Sequence, residues 1–98
     1  MDRVDLGAEL KTIIPNVYYQ PPEALKLQFP CIVYDLIDEV DIYSNNGLYK
    51  TWSQYRITIM DKNPDSVYPK LLKSKFTCSF ERKFTSSYVN HIVYTLHI

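Results

Sequence analysis

Glycine is almost missing from this chain, which contains only Gly7 and Gly47 among 98 residues. Loops that cradle phosphate groups and flexible linkers both depend on glycine, because it adopts left-handed backbone angles without a steric cost. The sequence therefore excludes a glycine-rich phosphate-binding loop and a flexible linker. It indicates one domain that spans residues 1–98.

Cysteine and long apolar runs are also scarce. Cys31 and Cys78 lie far apart, without the spacing of a metal or redox motif, so we expect two buried thiols in a reducing compartment. No segment approaches the roughly 18 apolar residues needed to cross a membrane, and no basic-then-apolar leader starts the chain. We therefore expect no membrane partner, and a protein kept in the cytosol or in a particle assembled there.

The net charge of zero is a cancellation between the two halves of the chain. Residues 1–49 carry eight acidic and three basic side chains, whereas residues 50–98 carry eight basic and three acidic ones. Such a chain is either a self-neutralising monomer or a subunit that presents one sign to the other sign on a neighbour, as head-to-tail rings do. The sequence leaves both interpretations open.

Apolar spacing predicts two helices. The first spans residues 2–14 and ends at Pro15, with apolar residues at spacings of three and four. These residues are Leu6, Leu10, Ile13 and Ile14. The second begins with Ser66 as its N-cap, places Pro69 at the third helical position and ends near Lys75. Its side chains expected to face the sheet are Leu71 and Leu72.

Alternation of apolar and polar residues predicts four strands after a short extended stretch at 16–20. They span residues 31–43, 49–61, 77–84 and 88–98. An Asn-Gly turn at 44–47 joins the first two, and a turn at 85–87 joins the last two. Because the first two strands exceed the usual length, we expect their tips, about residues 38–52, to project as a two-stranded arm.

The same alternation assigns side chains to the two faces of the sheet. The face expected to be buried carries Ile32, Tyr34, Leu36, Val40, Ile42, Tyr55, Ile57, Ile59, Phe76, Cys78, Phe80, Phe84, Ile92, Tyr94, Leu96 and Ile98. The other face carries Asp35, Glu39, Asp41, Trp52, Gln54, Arg56, Thr58, Glu81, Lys83, His91, Thr95 and His97. The predicted fold is α+β: an antiparallel β-sheet with a long β-hairpin and two helices packed on one face.

Two groups of residues are candidates for metal or catalytic chemistry, and both are better explained as surface residues. The acidic group is Asp35, Asp38, Glu39 and Asp41. No loop near it supplies the further oxygen ligands that calcium needs, so a solvated strand face is favoured. His91 and His97 are six residues apart on one strand, which separates them by about 20 Å, too far for one metal. We expect no catalytic residue, no metal and no cofactor, and therefore no enzyme.

A basic group interleaved with aromatic residues is the remaining candidate. It comprises Lys70, Lys73, Lys75, Arg82 and Lys83, with Phe76, Phe80 and Phe84 between them. This pattern is typical of nucleic-acid binding, yet the aromatic residues are expected to point inward. A dedicated nucleic-acid binder is also basic overall, and this chain is not.

Several segments together resemble a known family. These segments are Tyr18–Pro22, Phe29–Asp35, Tyr55–Ile59, Asp61–Ser66 and Val89–Leu96. In this order and spacing they are similar to the small tail terminator, or tail completion, proteins of long-tailed bacteriophages, which include chains called minor tail or neck proteins. The resemblance covers nearly the whole chain, and none of its motifs is catalytic.

The resemblance implies a structural protein of the virion tail or neck, assembled in the host cytoplasm. It implies a hexameric ring that caps the tail tube, ends tube polymerisation and joins the tail to the head. The implied partners are further copies of the chain, the tail tube protein and a head-completion or connector protein, with DNA only in transit through the channel. Related folds also serve as head-completion or connector (stopper) proteins of the neck, which is the alternative.

Within such a ring, three groups of residues acquire roles. The acidic residues Asp35, Asp38, Glu39 and Asp41 form a subunit interface or line the channel, where like charge keeps DNA from sticking. The basic residues Lys70, Lys73, Lys75, Arg82 and Lys83 form the complementary interface. The arm residues expected to contact the tube or neck, by adding to a sheet edge, are Tyr43, Asn45, Asn46, Gly47, Tyr49 and Trp52.

Overall fold

A computed structural model describes residues 3–22, 25–44 and 47–97, with the backbone alone at 40, 42, 44 and 48–51. Its elements are α1 (Arg3–Lys11), β1 (Val17–Tyr19), β2 (Cys31–Ser44), β3 (Gly47–Asp61), α2 (Tyr68–Lys75), β4 (Cys78–Ser86) and β5 (Val89–His97). Two helices and a five-stranded sheet confirm the α+β class. The predicted contact residues Asn45 and Asn46, and Ile98, lie outside the described residues.

The four predicted strands pair antiparallel, as expected, and a fifth strand adds one parallel pair, so the sheet is mixed and mostly antiparallel. Its strand order is β1-β2-β3-β5-β4, and β1 runs parallel to β2 while the other pairs are antiparallel. The Ile32 amide donates to the Asn16 carbonyl at 2.9 Å, and the Gln20 amide donates to the Tyr34 carbonyl at 3.1 Å. The extended stretch predicted at 16–20 is therefore an edge strand of the sheet.

The core lies between one face of the sheet and apolar residues of both helices. Leu6 and Leu10 of α1 and Leu72 of α2 are fully buried, in one cluster with Ile57 and Ile59 of β3. The remaining buried members are Ile14, Ile32, Tyr34, Tyr55, Ile92, Tyr94 and Leu96. We call the side of the sheet that these residues occupy the core face, and the other side the opposite face.

The ends of both helices differ from the prediction. The helix α1 ends at Lys11 rather than residue 14, because the next amides bond three residues back: Thr12 donates to the Glu9 carbonyl at 3.1 Å. The N-cap of α2 is Val67, and Ser66 instead accepts from the Tyr68 amide at 3.3 Å.

Only one of the two leucines in α2 faces the sheet. Leu72 is fully buried, whereas Leu71 is 44% exposed, so the expectation that both face the sheet is wrong. Adjacent residues on a helix point about 100° apart, and a narrow contact with the sheet accommodates one of them. The proline Pro69 lies in the first turn, at the second helical position rather than the third.

An extra residue in β2 changes which side chains share a face. Leu36 pairs with Tyr55, but the next pair is Asp38 with Gln54, so Ile37 has no partner residue in β3. Such a β-bulge shifts the alternation by one position, because residues paired across strands point to the same face. The face predicted for Glu39 and Asp41 is therefore wrong.

The strand β4 contains a second bulge, at Glu81. Phe80 pairs with Tyr94 on the core face, but the register then shifts and Phe84 pairs with His91. The rings of Phe84 and His91 stack with centroids 4.6 Å apart and planes within 8°. Phe84 therefore lies on the opposite face, and Lys83, which pairs with Ile92, moves to the core face; both predictions are corrected.

The turn between β4 and β5 is also later than predicted, at residues 87–88 rather than 85–87. The strands extend to Ser86 and from Val89, and Ser87 and Tyr88 between them have φ of 51° and 63°. Two consecutive residues with positive φ are typical of a type I′ hairpin turn. A Ser-Tyr pair carries no sequence signal for such a turn, because Asn and Gly are its usual residues.

Past the five-stranded region, β2 and β3 continue as a two-stranded segment. The strand β5 reaches along β3 only as far as Gln54, and β1 pairs with β2 only at residues 32–34. The arm, residues 38–44 and 47–53, pairs within itself and with no other described strand. Seven residues per strand extend about 23 Å. The longest dimension of the chain, 51 Å against 29 and 23 Å, is consistent with this extension.

Candidate protein-interaction surfaces

The described residues provide little support for chemistry. Among residues 3–22, 25–44 and 47–97, no group of three or more His, Cys, Asp or Glu side chains is placed to hold a metal ion. Burial raises the pKa of the Cys31 thiol to about 11 and also raises the pKa of Cys78, which disfavours the reactive thiolate. Neither helix in this part of the chain has the length and apolarity that a membrane crossing requires.

The bulge at Ile37 separates the four acidic residues into two pairs. Asp35 pairs with Arg56 and Asp38 pairs with Gln54, which places both acids on the opposite face. The Glu39 amide donates to Asp38 Oδ1 at 2.8 Å, so this carboxylate is oriented by the backbone next to the bulge.

The second acidic pair follows the bulge and lies on the side of the core face. Glu39 pairs with Ser53 and Asp41 pairs with Thr51, two and four residues from Tyr55 along the same face of β3. The pKa of Tyr55 is raised mainly by burial, and the negative charge of Glu39 is among the smaller causes that raise it further. Glu39 therefore faces the same side as Tyr55, and the structure does not bring all four acids together.

The basic residues are likewise divided. Lys73 of α2 lies on the core face with its Nζ 5.5 Å from the centroid of the Tyr94 ring. Lys83 is on the same face, and its Nζ donates to the Pro64 carbonyl at 3.1 Å. Lys75 instead bonds Glu9 Oε2 at 3.2 Å and Thr12, and Lys70 is exposed on α2.

Lys73, Phe80 and Lys83 together form an exposed border of the core face, which we call the basic margin. Phe80 is 56% exposed, and its ring packs edge-on against Tyr94 with centroids 5.8 Å apart. The margin belongs to β4, which is an edge of the sheet and is exposed at every residue after Cys78. An exposed aromatic ring flanked by two ammonium groups suits a partner that carries carboxylates and apolar side chains.

The arm carries exposed aromatic residues as well as acids. Tyr43 is 68% exposed and Trp52 is 37% exposed, and Gly47 is also exposed. The side chain of Tyr49 lies outside the described part of the chain. A two-stranded ribbon with exposed aromatic rings is marginally stable in water, so this segment is suited to a partner.

A polar and aromatic cluster on the opposite face was not predicted. The Arg56 guanidinium bonds both Glu81 carboxylate oxygens at 3.4 and 3.5 Å, and Thr95 Oγ1 donates to Glu81 at 3.3 Å. Beside it, the Arg82 guanidinium lies 5.2 Å from the Phe84 ring that stacks on His91. Alternation assigned Arg56, Glu81, Thr95 and His91 to this face, but it put Phe84 on the other one, because it could not foresee the bulge at Glu81.

A groove of about 330 Å³ lies at the other edge of the sheet, between α1 and β1. Its lining includes Arg3, Lys11, Tyr19 and Tyr34, and the Arg3 guanidinium lies 4.6 Å from the Tyr19 ring. The glycine Gly7 also lines it. This groove belongs to the packing of α1 on the sheet and presents no catalytic arrangement of side chains.

Ion pairs join charges both within one half of the chain and between the two halves. Among the described residues, Arg56 pairs with Glu81, both from the second half, and Lys75 pairs with Glu9, which joins the halves.

Comparisons with known proteins identify no relative: no family model, no curated protein and no solved structure matches this chain. The acidic residues of the arm and the basic margin are exposed surfaces of opposite charge on the same subunit.

Proposed function

We propose that this protein is a structural subunit of a bacteriophage tail. Copies of it form a ring, hexameric by the resemblance stated above, that caps the tail tube, ends its polymerisation and joins the tail to the head. It acts without catalysis, metal or cofactor, and it resides in the virion after assembly in the host cytoplasm.

The observation that carries this proposal is the arm, a self-paired ribbon about 23 Å long with exposed acids and aromatic rings. In a monomer such a ribbon would be unfavourable, because it exposes apolar surface and strand edges to water and adds no buried core. In an assembly, the same ribbon reaches a neighbouring molecule. The bacteriophage context rests on the sequence resemblance.

The proposed partners follow from the same argument. The arm, with Tyr43 next to its tip and Trp52 nearer its base, contacts the tail tube protein or a head-completion protein of the neck. In this proposal Asp35 and Asp38, which share the opposite face, line the channel, where their negative charge keeps passing DNA from sticking. DNA is thus a transient passenger in this proposal and not a bound ligand.

The test is an assembly assay with the purified chain and the tube protein of the phage that encodes it. Light scattering and electron microscopy are expected to show rings, and tubes polymerised with these rings are expected to be shorter and capped at one end. Rings that bind the head-side connector and leave tube length unchanged would instead support the connector (stopper) function. Absence of binding to both tube and connector would refute a role in the neck.

A further inference from the structure

The acidic residues of β2 lie on different faces of the sheet, and this difference points to a subunit contact. Glu39 and Asp41 lie on the side of the core face, whereas Asp35 and Asp38 lie on the opposite face. The basic margin, Lys73, Phe80 and Lys83, borders the core face at the β4 edge. The complementary charges therefore lie on the same side of the sheet.

One subunit does not bring these two surfaces together. The strands β3 and β5 lie between β2 and β4, so Glu39 and Asp41 on β2 are three strand spacings, about 14 Å, to the side of β4. The arm also leaves the sheet beyond the pair Gln54–His97, whereas Lys83 pairs with Ile92, deeper in the sheet. Neither ion pair formed among the described residues joins the arm to the margin.

We propose that the Glu39–Asp41 side of the arm docks on the basic margin of a second copy of this chain. The Lys73 and Lys83 ammonium groups meet the two carboxylates, and exposed Phe80 packs against the arm. The occupant is a second copy because the chain itself supplies both complementary surfaces, each exposed on the same subunit.

The contact is heterologous, because it joins different surfaces of the two copies. Each subunit then offers one arm and one margin, and the contact propagates into a closed ring or an open filament. This inference rests on the proposed ring and deepens it, since it names the residues that join adjacent subunits. It also separates the acids by role, with Asp35 and Asp38 outside the interface.

Charge reversal tests the contact. The arm variant carries Glu39→Lys and Asp41→Lys, and the margin variant carries Lys73→Glu and Lys83→Glu. Each variant alone is expected to self-associate at least about 100-fold more weakly than the wild-type chain, because like charges meet at the interface. The measurement is sedimentation equilibrium at low and moderate salt, with circular dichroism to verify that each variant is folded.

An equimolar mixture of the two variants is the decisive sample. The lysine arm of one variant then meets the glutamate margin of the other, and the remaining arm and margin have wild-type charges. Assembly is expected to return, with the two variants alternating and therefore in even-numbered rings. The matched control, Asp35→Lys with Asp38→Lys, makes the same charge change on the opposite face and is expected to assemble like the wild type.

Three results would overturn the inference: single variants that assemble as tightly as the wild type, a mixture that stays dissociated, or a wild-type chain that remains monomeric at about 1 mM. If the single variants assemble as tightly as the wild type and their rings still cap tubes, the contact is refuted but the proposed function is not. Conversely, a mixture that restores rings but caps no tube and binds no connector supports the contact and refutes the proposed function.

Discussion

Replacing Gly7 by alanine is expected to destabilise the protein, although Gly7 lies inside α1, where alanine would ordinarily stabilise the helix. Alanine favours helix over glycine by about 1 kcal/mol. A Cβ at this position, however, would lie 2.7 Å from the Tyr34 hydroxyl oxygen. The tyrosine cannot easily withdraw, because it is 4% exposed and its ring lies 4.9 Å from Tyr19 and 6.2 Å from Tyr55. Overpacking of this kind costs about 1–3 kcal/mol, so we expect a net loss of up to about 2 kcal/mol.

The double variant with Tyr34→Phe isolates the cause. Without the hydroxyl, the nearest atom to the new Cβ is the ring carbon Cζ at 3.6 Å, an ordinary contact. In that background Gly7→Ala is expected to stabilise the protein by about 1 kcal/mol, giving a coupling of about 1–3 kcal/mol. Tyr34→Phe alone loses one long bond, 3.4 Å to the Arg3 carbonyl, and is expected to cost about 0.5 kcal/mol.

Urea denaturation followed by circular dichroism measures all four proteins in this cycle. For a domain of this size, 1 kcal/mol corresponds to about 4–8 °C in Tm, so thermal melts give an independent check. Gly7→Ala having the same effect in both backgrounds, or stabilising the wild type by about 1 kcal/mol, would refute the steric argument.

Two further predictions concern the core and the buried thiol. Leu10→Ala removes a fully buried side chain and is expected to lower the free energy of unfolding by about 2–5 kcal/mol. Val4→Ala, at a site 66% exposed, is expected to change it by less than about 0.5 kcal/mol. Equal losses for the two variants in urea denaturation would contradict the packing of Leu10. Burial raises the pKa of Cys31 from 9.0 to about 11, so the unfolded chain loses this proton first. The contribution of this thiol to the free energy of unfolding is therefore fully present below pH 9. It declines by up to about 1.4 kcal/mol per pH unit as the pH rises to 11. Cys31→Ala is expected to reduce this alkaline slope, and an unchanged slope would show that the thiol is not desolvated.

Periodicity predicted the core well because burial on one side leaves a direct trace in the sequence. The helix spacing identified Leu6 and Leu10, and the strand alternation identified Ile57, Ile59 and Ile92, all of which are buried. These positions depend only on local geometry, either 3.6 residues per turn or a two-residue repeat. The α+β class followed from the same signals.

The bulges were not predictable, because an extra residue in a strand changes register without changing composition. Alternation assigns Glu81 to the polar face without conflict. At the other bulge it would put Ile37 on the polar face and Asp38 on the buried face, and the prediction assigned a face to neither residue. The effect of each bulge appears only when the partner strand is known, since the register is a property of the pair. For this reason the prediction put Asp35, Glu39 and Asp41 together on the opposite face and Phe84 on the core face.

The parallel edge strand was missed for a related reason. Val17–Tyr19 is three residues long, between two proline-containing segments, and too short to show alternation. Its partner is β2, reached by a crossover, and such nonlocal pairing leaves no mark in the sequence of either strand. The candidate surfaces were thus predictable as charged segments, while the grouping of their residues required the sheet register.

The position of β5 between β3 and β4 imposes an order on folding. As the chain emerges from the ribosome, β1, β2 and β3 can pair, but β4 has no strand to join until β5 has been synthesised. The strand β5 then pairs with β3 and, through the turn at Ser87 and Tyr88, brings β4 to its other edge. Until that moment the edge of β3 is open to strands of other nascent chains, which is the interval in which misassembly competes with folding.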